Sequence, residues 1–315
     1  MKASIVISNH NYGRFLSECI NSCLSQTHSD LEVIVVDDGS TDDSREILAH
    51  YTQQHESIIA ILQENMGQSA AINTGVGIAR GDIIFFLDAD DYYQNNYISE
   101  ALKVYTDYPE CDFLTCALRE FGDNEVELLE PYRNRVTDLG YTRIITYKEQ
   151  LFIGGRTSTN SMTREAADLV FPIENEEDYR CCADFVFAVG SSLAGCRKFF
   201  INEPFVQYRV HGSNIWRTYK YTAPRRYSDE LAYRTMFARF NLKDPTLPML
   251  GTMPLRKLLL AELVSGTKHP NVVKRYAEAI MHHKHDRLLK RYWTALQLRF
   301  RPEGFQKSFL KRWLK

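Results

Sequence analysis

Three carboxylates in four positions, Asp88, Asp90 and Asp91, close the apolar run DIIFFLDADD at residues 82–91. A second acidic group, Asp37, Asp38, Asp42 and Asp43, closes LEVIVVDDGSTDD at residues 31–43. Carboxylates crowded at one edge repel unless a cation or a set of donors compensates. One solution is a divalent metal held by oxygen ligands and shared with substrate phosphates. Another is hydrogen bonding to ligand hydroxyls or to the edge of a base. Asp88-Ala89-Asp90 suits both together, since two acids one residue apart can turn toward one ligand as the chain leaves a strand. The plain alternative is a solvated strand-to-helix turn, and a short acid-x-acid motif alone does not separate the two.

Such acids work only if the fold gathers them. ASIVISN (3–9), LEVIVVDD (31–38), SIIAILQ (57–63) and DIIFFLDADD (82–91) have the β-branched, apolar character of buried strands. Between them, residues 13–26, 42–55 and 67–81 have helical spacing or composition. Thr41 or Asp42 is the expected cap of the second helix, with Asp42 and Asp43 as helix-start acids. This alternation predicts a parallel sheet with helices on both faces. In such sheets ligands sit beyond the carboxyl ends of the strands. Ser8-Asn9, Asp37-Asp38 and Asp88 to Asp91 are then expected to meet at one crevice.

Beyond residue 110 the rhythm loosens. CDFLTCAL (111–118), CRKFFIN and FVQYRVH (196–211) read as strands, and CADFVFAVGSSLAG (182–195) as a helix ending at Gly195. From Trp216 the chain reads as helical, interrupted near Pro245, Pro248, Pro254, Pro270 and Pro302.

The series VISNHNYGRFLSECINSCLSQTHSDLEVIVVDDGSTDDS, then NMGQSAAINTGVGIARGDIIFFLDADD, closely resembles the nucleotide-sugar-binding half of glycosyltransferase family 2. The resemblance is dense over residues 2–108 and thinner to about 214. It implies a GT-A fold, a Rossmann-like α/β/α sandwich on a mostly parallel central sheet, with a helical C-terminal extension. It also implies an inverting transferase using a nucleotide diphosphate sugar, usually of UDP, with Mn²⁺ or Mg²⁺. On this resemblance Ser8 and Asn11 serve the base and ribose, and Asp38 recognises the base while Asp37 supports the loop. Asn65, Gly67, Ala70, Ala71 and Asn73 form the small-residue segment against nucleotide and sugar. Asp88, followed by Ala89, faces the ribose, and Asp90 ligates the metal.

Direct inverting transfer needs a general base on the acceptor hydroxyl. The family supplies it from an acid opening a helix in the second half, commonly Glu-Asp before an aromatic. That implies Asp184, followed by Phe185, with Ala183 standing where the Glu is usual. Glu176, Glu177 and Asp178 are alternatives in another register. YRVHGSN (208–214) resembles the segment that closes the site, making Arg209 a phosphate partner and His211 a metal ligand or a contact of the diphosphate. FIGGRTSTNSMTREAA (152–167) fills the acceptor side, with Gly154 and Gly155 in a loop and Arg156 or Thr157 as contacts.

The implied organisation is a catalytic domain over 1–215, split into a nucleotide-sugar half (1–108) and an acceptor half (109–215), followed by a helical region (216–315). Composition fits a globular protein, with 44% hydrophobic and 25% charged residues among 315. A net charge of −2 names no partner, and no nucleic acid is expected. Seven cysteines lack paired zinc spacing and read as buried thiols of a reducing compartment. With no secretory leader or membrane span in the pattern, a cytoplasmic enzyme is expected, at the inner face of the membrane if its tail binds there. Ten Lys and Arg against two acids from His282 onward, mixed with aromatics over 288–315, suit an amphipathic helix on an anionic membrane. A packed helical appendage is the alternative. A glycan or lipid-linked acceptor in capsule, lipopolysaccharide or other surface-polysaccharide synthesis is the expected second substrate.

A dinucleotide oxidoreductase is excluded, because NHNYGRF has a single Gly13 where a glycine-rich turn is needed. A nucleotidyltransferase would carry a glycine-rich basic first loop, and a processive synthase would carry spans and a Gln-x-x-Arg-Trp motif. An inactive nucleotide-sugar-binding protein fits less well, because the acids for metal and base remain.

Overall fold

A computed structural model of the chain describes residues 1–123, 125–130, 133–143, 145–146, 152–173 and 183–214, with Met236 and Phe240. The chain divides into two compact units, Met1–Thr222 and Ala223–Lys315. The expected helical region, including 288–315, lies outside the described residues, as do Glu176, Glu177 and Asp178. Among the described residues no helix is long and apolar enough to cross a membrane.

The first half alternates as its pattern predicts. Strands β1 (Ala3–Asn9), β2 (Leu31–Asp38), β3 (Ile58–Gln63) and β4 (Ile83–Asp88) are separated by helices α1 (Gly13–Leu24), α2 (Ser44–Gln54) and α3 (Gln68–Ile78). After them come β5 (Tyr92–Tyr93), α4 (Tyr97–Asp107), β6 (Phe113–Gly122), β7 (Val126–Leu128) and β8 (Val136–Tyr141). The described chain continues through a short 3-10 turn (Thr157–Thr159), β9 (Asn160–Thr163), α5 (Arg164–Val170), α6 (Ala183–Ala194) and β10 (Arg197–Val210).

One sheet runs in the order β3-β2-β1-β4-β9-β6-β10-β5, with β7 on β6 and β8 on β10. β1 pairs in parallel with β2 and β4, β2 with β3, and β6 with β10. β9 lies antiparallel between β4 and β6. β1, β2, β3, β4, β6 and β10 therefore run the same way and end at one edge, while β8 lies antiparallel to β10. Residues 196–211, expected as two strands, form the single strand β10. Its pairing with β6 shifts register around Pro204, where an irregularity accommodates a residue with no N–H to donate.

Alternation along the strands fills two layers. Ile5, Ile7, Val33, Val35, Phe85 and Leu87 join Leu16, Ile20, Tyr97 and Ile98 in one core. On the opposite face Phe86 stacks on Phe187 of α6, with ring centres 4.2 Å apart. There α3 packs directly on β1 and β2 through small residues. A Cβ on Gly75 would overlap Val6 Cγ1, whereas one on Gly77 meets nothing within 4 Å. Overpacking costs about 1–3 kcal/mol, more than the helix-propensity gain of under about 1 kcal/mol. Gly75→Ala is expected to lower the urea midpoint and Gly77→Ala to raise it; the opposite order would refute this packing of α3.

One buried charge had no signal in the pattern. Lys198 is fully buried, donating from Nζ to the carbonyls of Ile153 and Ala188, each at 2.6 Å. Burial pushes its pKa down from 10.5 to about 7. Between these values the unfolded chain holds a proton that the folded chain does not, so this residue makes stability rise with pH there. Below that window the cost of the buried charge is present in full. The melting-temperature difference between wild type and Lys198→Met is expected to shift in favour of wild type from pH 7 to 10. A difference independent of pH would refute it.

Candidate active site

Parallel register sets Ser8 beside Asp88 and Asn9 beside Asp37 at the carboxyl edge. There one carboxylate oxygen from each of Asp88, Asp90 and Asp91 lies within 4.8 Å of the others. Asp88 accepts from Gln68 Nε2 at 2.7 Å, with Ser8 Oγ at 3.5 Å. Asp91, buried, accepts from Ser158 Oγ at 2.6 Å and from the Arg209 N–H at 2.8 Å. Asp90 Oδ2 faces His211 Nε2 at 3.0 Å and accepts from Asn214 Nδ2 at 3.2 Å. Its Oδ1 takes no donor from the described residues.

Electrostatics follow from this crowding. Burial first, then the charges of Asp90 and Asp184, pushes Asp88 up to about 8. Burial, then Asp90 and Asp88, pushes Asp91 well above the carboxylate range. Tyr12 is raised by burial and then by the same three acids. Three carboxylates gathered this closely repel one another and make a donor set suited to a hard divalent cation. Asp90, whose Oδ1 is clear of donors among the described residues, can ligate it, with Asp88 and Asp91 beside it.

Asp184 lies in the first turn of α6, half-buried, and Oδ1 accepts from the Phe185 N–H at 2.8 Å. Burial raises its pKa, while the Arg156 guanidinium opposes the rise. Gln68 joins the two acidic centres: it donates to Asp88 and accepts from the Ala183 N–H at 3.4 Å. Arg156 pairs with Glu120 at 2.7 Å and lies 4.0 Å over the Tyr208 ring.

The second acidic group divides as its spacing suggests. Asp37 is fully buried and braces the turn, accepting from Asn9 Nδ2, the Ser40 N–H and Arg45 Nε. Asp42 accepts from the N–H groups of Gly13 and Ser44, tying α1 to α2. Burial opposes but the hydrogen bonds prevail, holding Asp42 below the usual range. Asp43, not Thr41 or Asp42, is the capping position of α2.

Several expected contacts have other employment. Asp38 is buried and accepts from Gln63 Nε2 and from the N–H groups of Met66 and Gly67, at 2.7–2.9 Å. It thereby shapes the entry to α3, where Gly67 takes φ +99°, a region that favours glycine. Asn11, at φ +59°, accepts from the Thr41 N–H at 2.7 Å, and Asn65 Nδ2 lies 3.0 Å from His10 Nε2. Both lie on the exposed rim.

Ala70 and Ala89 are core residues, 2% and 0% exposed. Asn73 donates to the Ile173 carbonyl at 2.9 Å and accepts from the Ile173 N–H at 2.7 Å. Its amide clamps α3 to a segment one hundred positions away. Arg209, expected on a phosphate, pairs with Glu18 and donates to the Asp90 carbonyl. Its guanidinium lies 4.5 Å from the Phe15 ring centre and 4.4 Å from that of Phe121. His211 Nδ1 accepts from the Ser213 N–H at 3.3 Å. His211 Nε2 lies 3.0 Å from Asp90 Oδ2 and 3.2 Å from Asn214 Nδ2, so the ring packs against Asp90 in one hydrogen-bonded cluster with Asn214. Tyr12, Gln68, Ser158 and Asn214 were missed by the sequence reading.

The model of glycosyl transferase family 2 matches residues 4–169. An uncharacterized glycosyltransferase of Nostoc is 32% identical over 216 residues, covering 68% of this chain and 66% of its own. The uncharacterized glycosyltransferase EpsJ of Bacillus subtilis is 29% identical over 230 residues, covering 67% of this chain and 62% of its own. The chain thus spans just under two thirds of the length of these two relatives. Among solved structures, S. aureus TarS residues 1–349 with UDP-GlcNAc superposes with a TM-score of 0.62 at 17% identity, covering 90% of this chain and 82% of that one. That likeness carries the GT-A fold, and the family model, spanning more than half of the sequence, carries the kinship: the chain belongs to glycosyl transferase family 2.

Proposed function

We propose that the chain is an inverting, metal-dependent glycosyltransferase that moves a sugar from a nucleotide diphosphate, UDP first among them, to a hydroxyl of a glycan or lipid-linked acceptor in surface-polysaccharide synthesis. The observation that carries this reading is the meeting of Asp88, Asp90 and Asp91 within 4.8 Å, with Asp184 close enough to raise the pKa of Asp88. UDP leads because TarS, which shares the fold, was solved with UDP-GlcNAc.

Asp90 would hold Mn²⁺ or Mg²⁺, with Asp88 and Asp91 beside it. The cation would supply charge neutralisation for the leaving diphosphate. Asp88 lies beside Ser8 at the strand ends, suiting it to a ribose hydroxyl, while Asn11, Asn65 and Gly67 border the base with Asp38 beneath. Asp184 removes the proton of the acceptor hydroxyl as the acceptor oxygen bonds to C1 and the C1–diphosphate bond breaks. A base raised by burial takes that proton more readily than an ordinary aspartate, while the Phe185 N–H and then the Arg156 guanidinium oppose the rise.

A thermal-shift screen of nucleotide sugars, each with Mn²⁺, Mg²⁺ or EDTA, tests this. A UDP-sugar is expected to raise the melting temperature only with a cation. No shift with any nucleotide sugar, or an equal shift in EDTA, would overturn the reading. The same proposal gives residues 288–315 a peripheral contact with anionic membrane; the full-length chain failing to float with anionic liposomes would remove that contact.

A further inference from the structure

A cation in the middle of a core strand stands against ordinary strand composition. Lys198 is fully buried, and the three residues after it, Phe199, Phe200 and Ile201, are apolar core. Burial lowers its pKa, and Cys196 is the titratable neighbour that acts the other way. Desolvating an ammonium costs folding stability that an apolar side chain would not forgo. Residues that break a local rule at such a cost are expected at functional sites.

The ammonium joins two segments of the acceptor half. Lys198 Nζ donates at 2.6 Å to the carbonyl of Ile153 and at 2.6 Å to that of Ala188, and it lies 4.5 Å from the Phe113 ring centre. Ile153 leads into the loop of Gly154, Gly155 and Arg156, which is fixed to the sheet. The Gly155 N–H donates to Asn160 Oδ1 at 3.0 Å. Asn160 Nδ2 donates to the carbonyls of Gly155 and Arg156, each at 2.9 Å, and the Arg156 guanidinium pairs with Glu120 of β6. Ala188 lies on α6, about one turn beyond Asp184. Its carbonyl also accepts from Ser192 Oγ at 2.8 Å. A Cβ on Gly154 would lie 2.7 Å from Ala188 Cβ, so loop and helix touch where the ammonium bridges them.

Arg156 and Asp184 stand on the two sides of this junction. Burial raises Asp184, and the Phe185 N–H and then the Arg156 guanidinium oppose the rise. The other charge that acts between these groups is that of Asp88, at the end of β4. Charge interactions weaken with distance. A helix free to drift from the loop would therefore loosen the hold of Arg156 on Asp184.

We infer that Lys198 is a positioning residue for the transfer reaction: by tying α6 to the loop that begins at Ile153, it sets the separation of Arg156 and Asp184. This rests on the proposed function, because Asp184 as base is what makes that separation matter.

Two measurements on the full-length chain in EDTA test it. Carbon-13 NMR of labelled aspartates follows the titration of Asp184, its signal assigned with Asp184→Asn. Hydrogen exchange over residues 153–156 and 184–190 follows the tie itself. Lys198→Met is expected to speed exchange about tenfold in both segments, the scale of one lost charge-assisted hydrogen bond, and to leave β1 to β4 unchanged. It should also move the Asp184 midpoint upward, as Arg156→Gln does, and the two substitutions together should move it no further than Arg156→Gln alone. Ser192→Ala removes a bond to the same Ala188 carbonyl without releasing the loop, and should leave the midpoint in place. Lys198→Gln, which keeps an amide donor, is read in the same direction where Lys198→Met does not melt cooperatively. Three outcomes would overturn the inference: an Asp184 midpoint unmoved by loss of the ammonium, shifts that add in the double variant, or exchange that rises equally through β1 to β4. Neither measurement needs a substrate. A confirmed tie beside full transfer by Asp184→Asn would keep the junction and remove the base assignment.

Discussion

Asp184→Asn is expected to abolish sugar transfer while leaving the nucleotide-sugar thermal shift in place. The substitution keeps the shape of the side chain and the oxygen that accepts from the Phe185 N–H. What it removes is basicity, and general-base assistance is worth about 10²–10⁴ in rate. The loss should therefore appear in kcat and not in donor affinity. Burial raises Asp184, so the acid limb of the wild-type pH–rate profile should lie above the ordinary aspartate value of about 3.9. Arg156 opposes that rise, so Arg156→Gln should move the limb further up without moving donor binding. Single amide variants of Glu176, Glu177 and Asp178 are the controls. Full transfer by Asp184→Asn, or loss of transfer only in one of the controls, would remove Asp184 from the base position.

The acids were legible because parallel strands leave little freedom: once β1, β2 and β4 align, Ser8 and Asp88 become neighbours. Neutral partners were not legible. Gln68, Ser158 and Asn214 reach the DADD acids from 20, 67 and 124 positions away, and no periodicity marks an isolated amide or hydroxyl. Strand β9 escaped for a related reason. Asn160 and Ser161 are fully buried in the middle of the sheet, yet NSMT offers no apolar run. Asn73 fits the small-residue segment by position, but its side chain bonds both backbone groups of Ile173. Arg209 is expected on a phosphate only through the resemblance of YRVHGSN to the family's site-closing segment. The nearer anion is Glu18, which a helix one strand away supplies. The sequence thus carried the residues the sheet aligns, and concealed those that loops and helices deliver.

Asp88→Asn is expected to make the metal-free protein more stable at neutral pH and to abolish its response to Mn²⁺. The sign follows from proton binding. Asp88 is raised to about 8 from an ordinary 3.8, so between those values the folded protein holds a proton that the unfolded chain has released. Its stabilising contribution is present below pH 4 and is lost as pH rises toward 8. Asp91 is shifted the same way by the same burial and the same neighbours, and adds to the loss. An amide at position 88 has no charge to desolvate, so the metal-free variant should gain on wild type across this window. A divalent cation binds the deprotonated carboxylates and competes with those protons. The wild-type shift with Mn²⁺ should therefore grow from pH 5.5 to 8, and EDTA should reverse it. Asp90→Ala should remove the metal response too, since its Oδ1 is free of donors among the described residues, and with it the metal-dependent part of donor binding. Thermal melts of the three proteins, with Mn²⁺ and with EDTA, measure all of this. Asp88→Asn melting below wild type in EDTA across the window, or a Mn²⁺ shift that ignores pH, would show these acids braced by the protein alone. The expected result instead makes the site a strained cluster held by the sheet, whose folding cost is offset when the cation arrives.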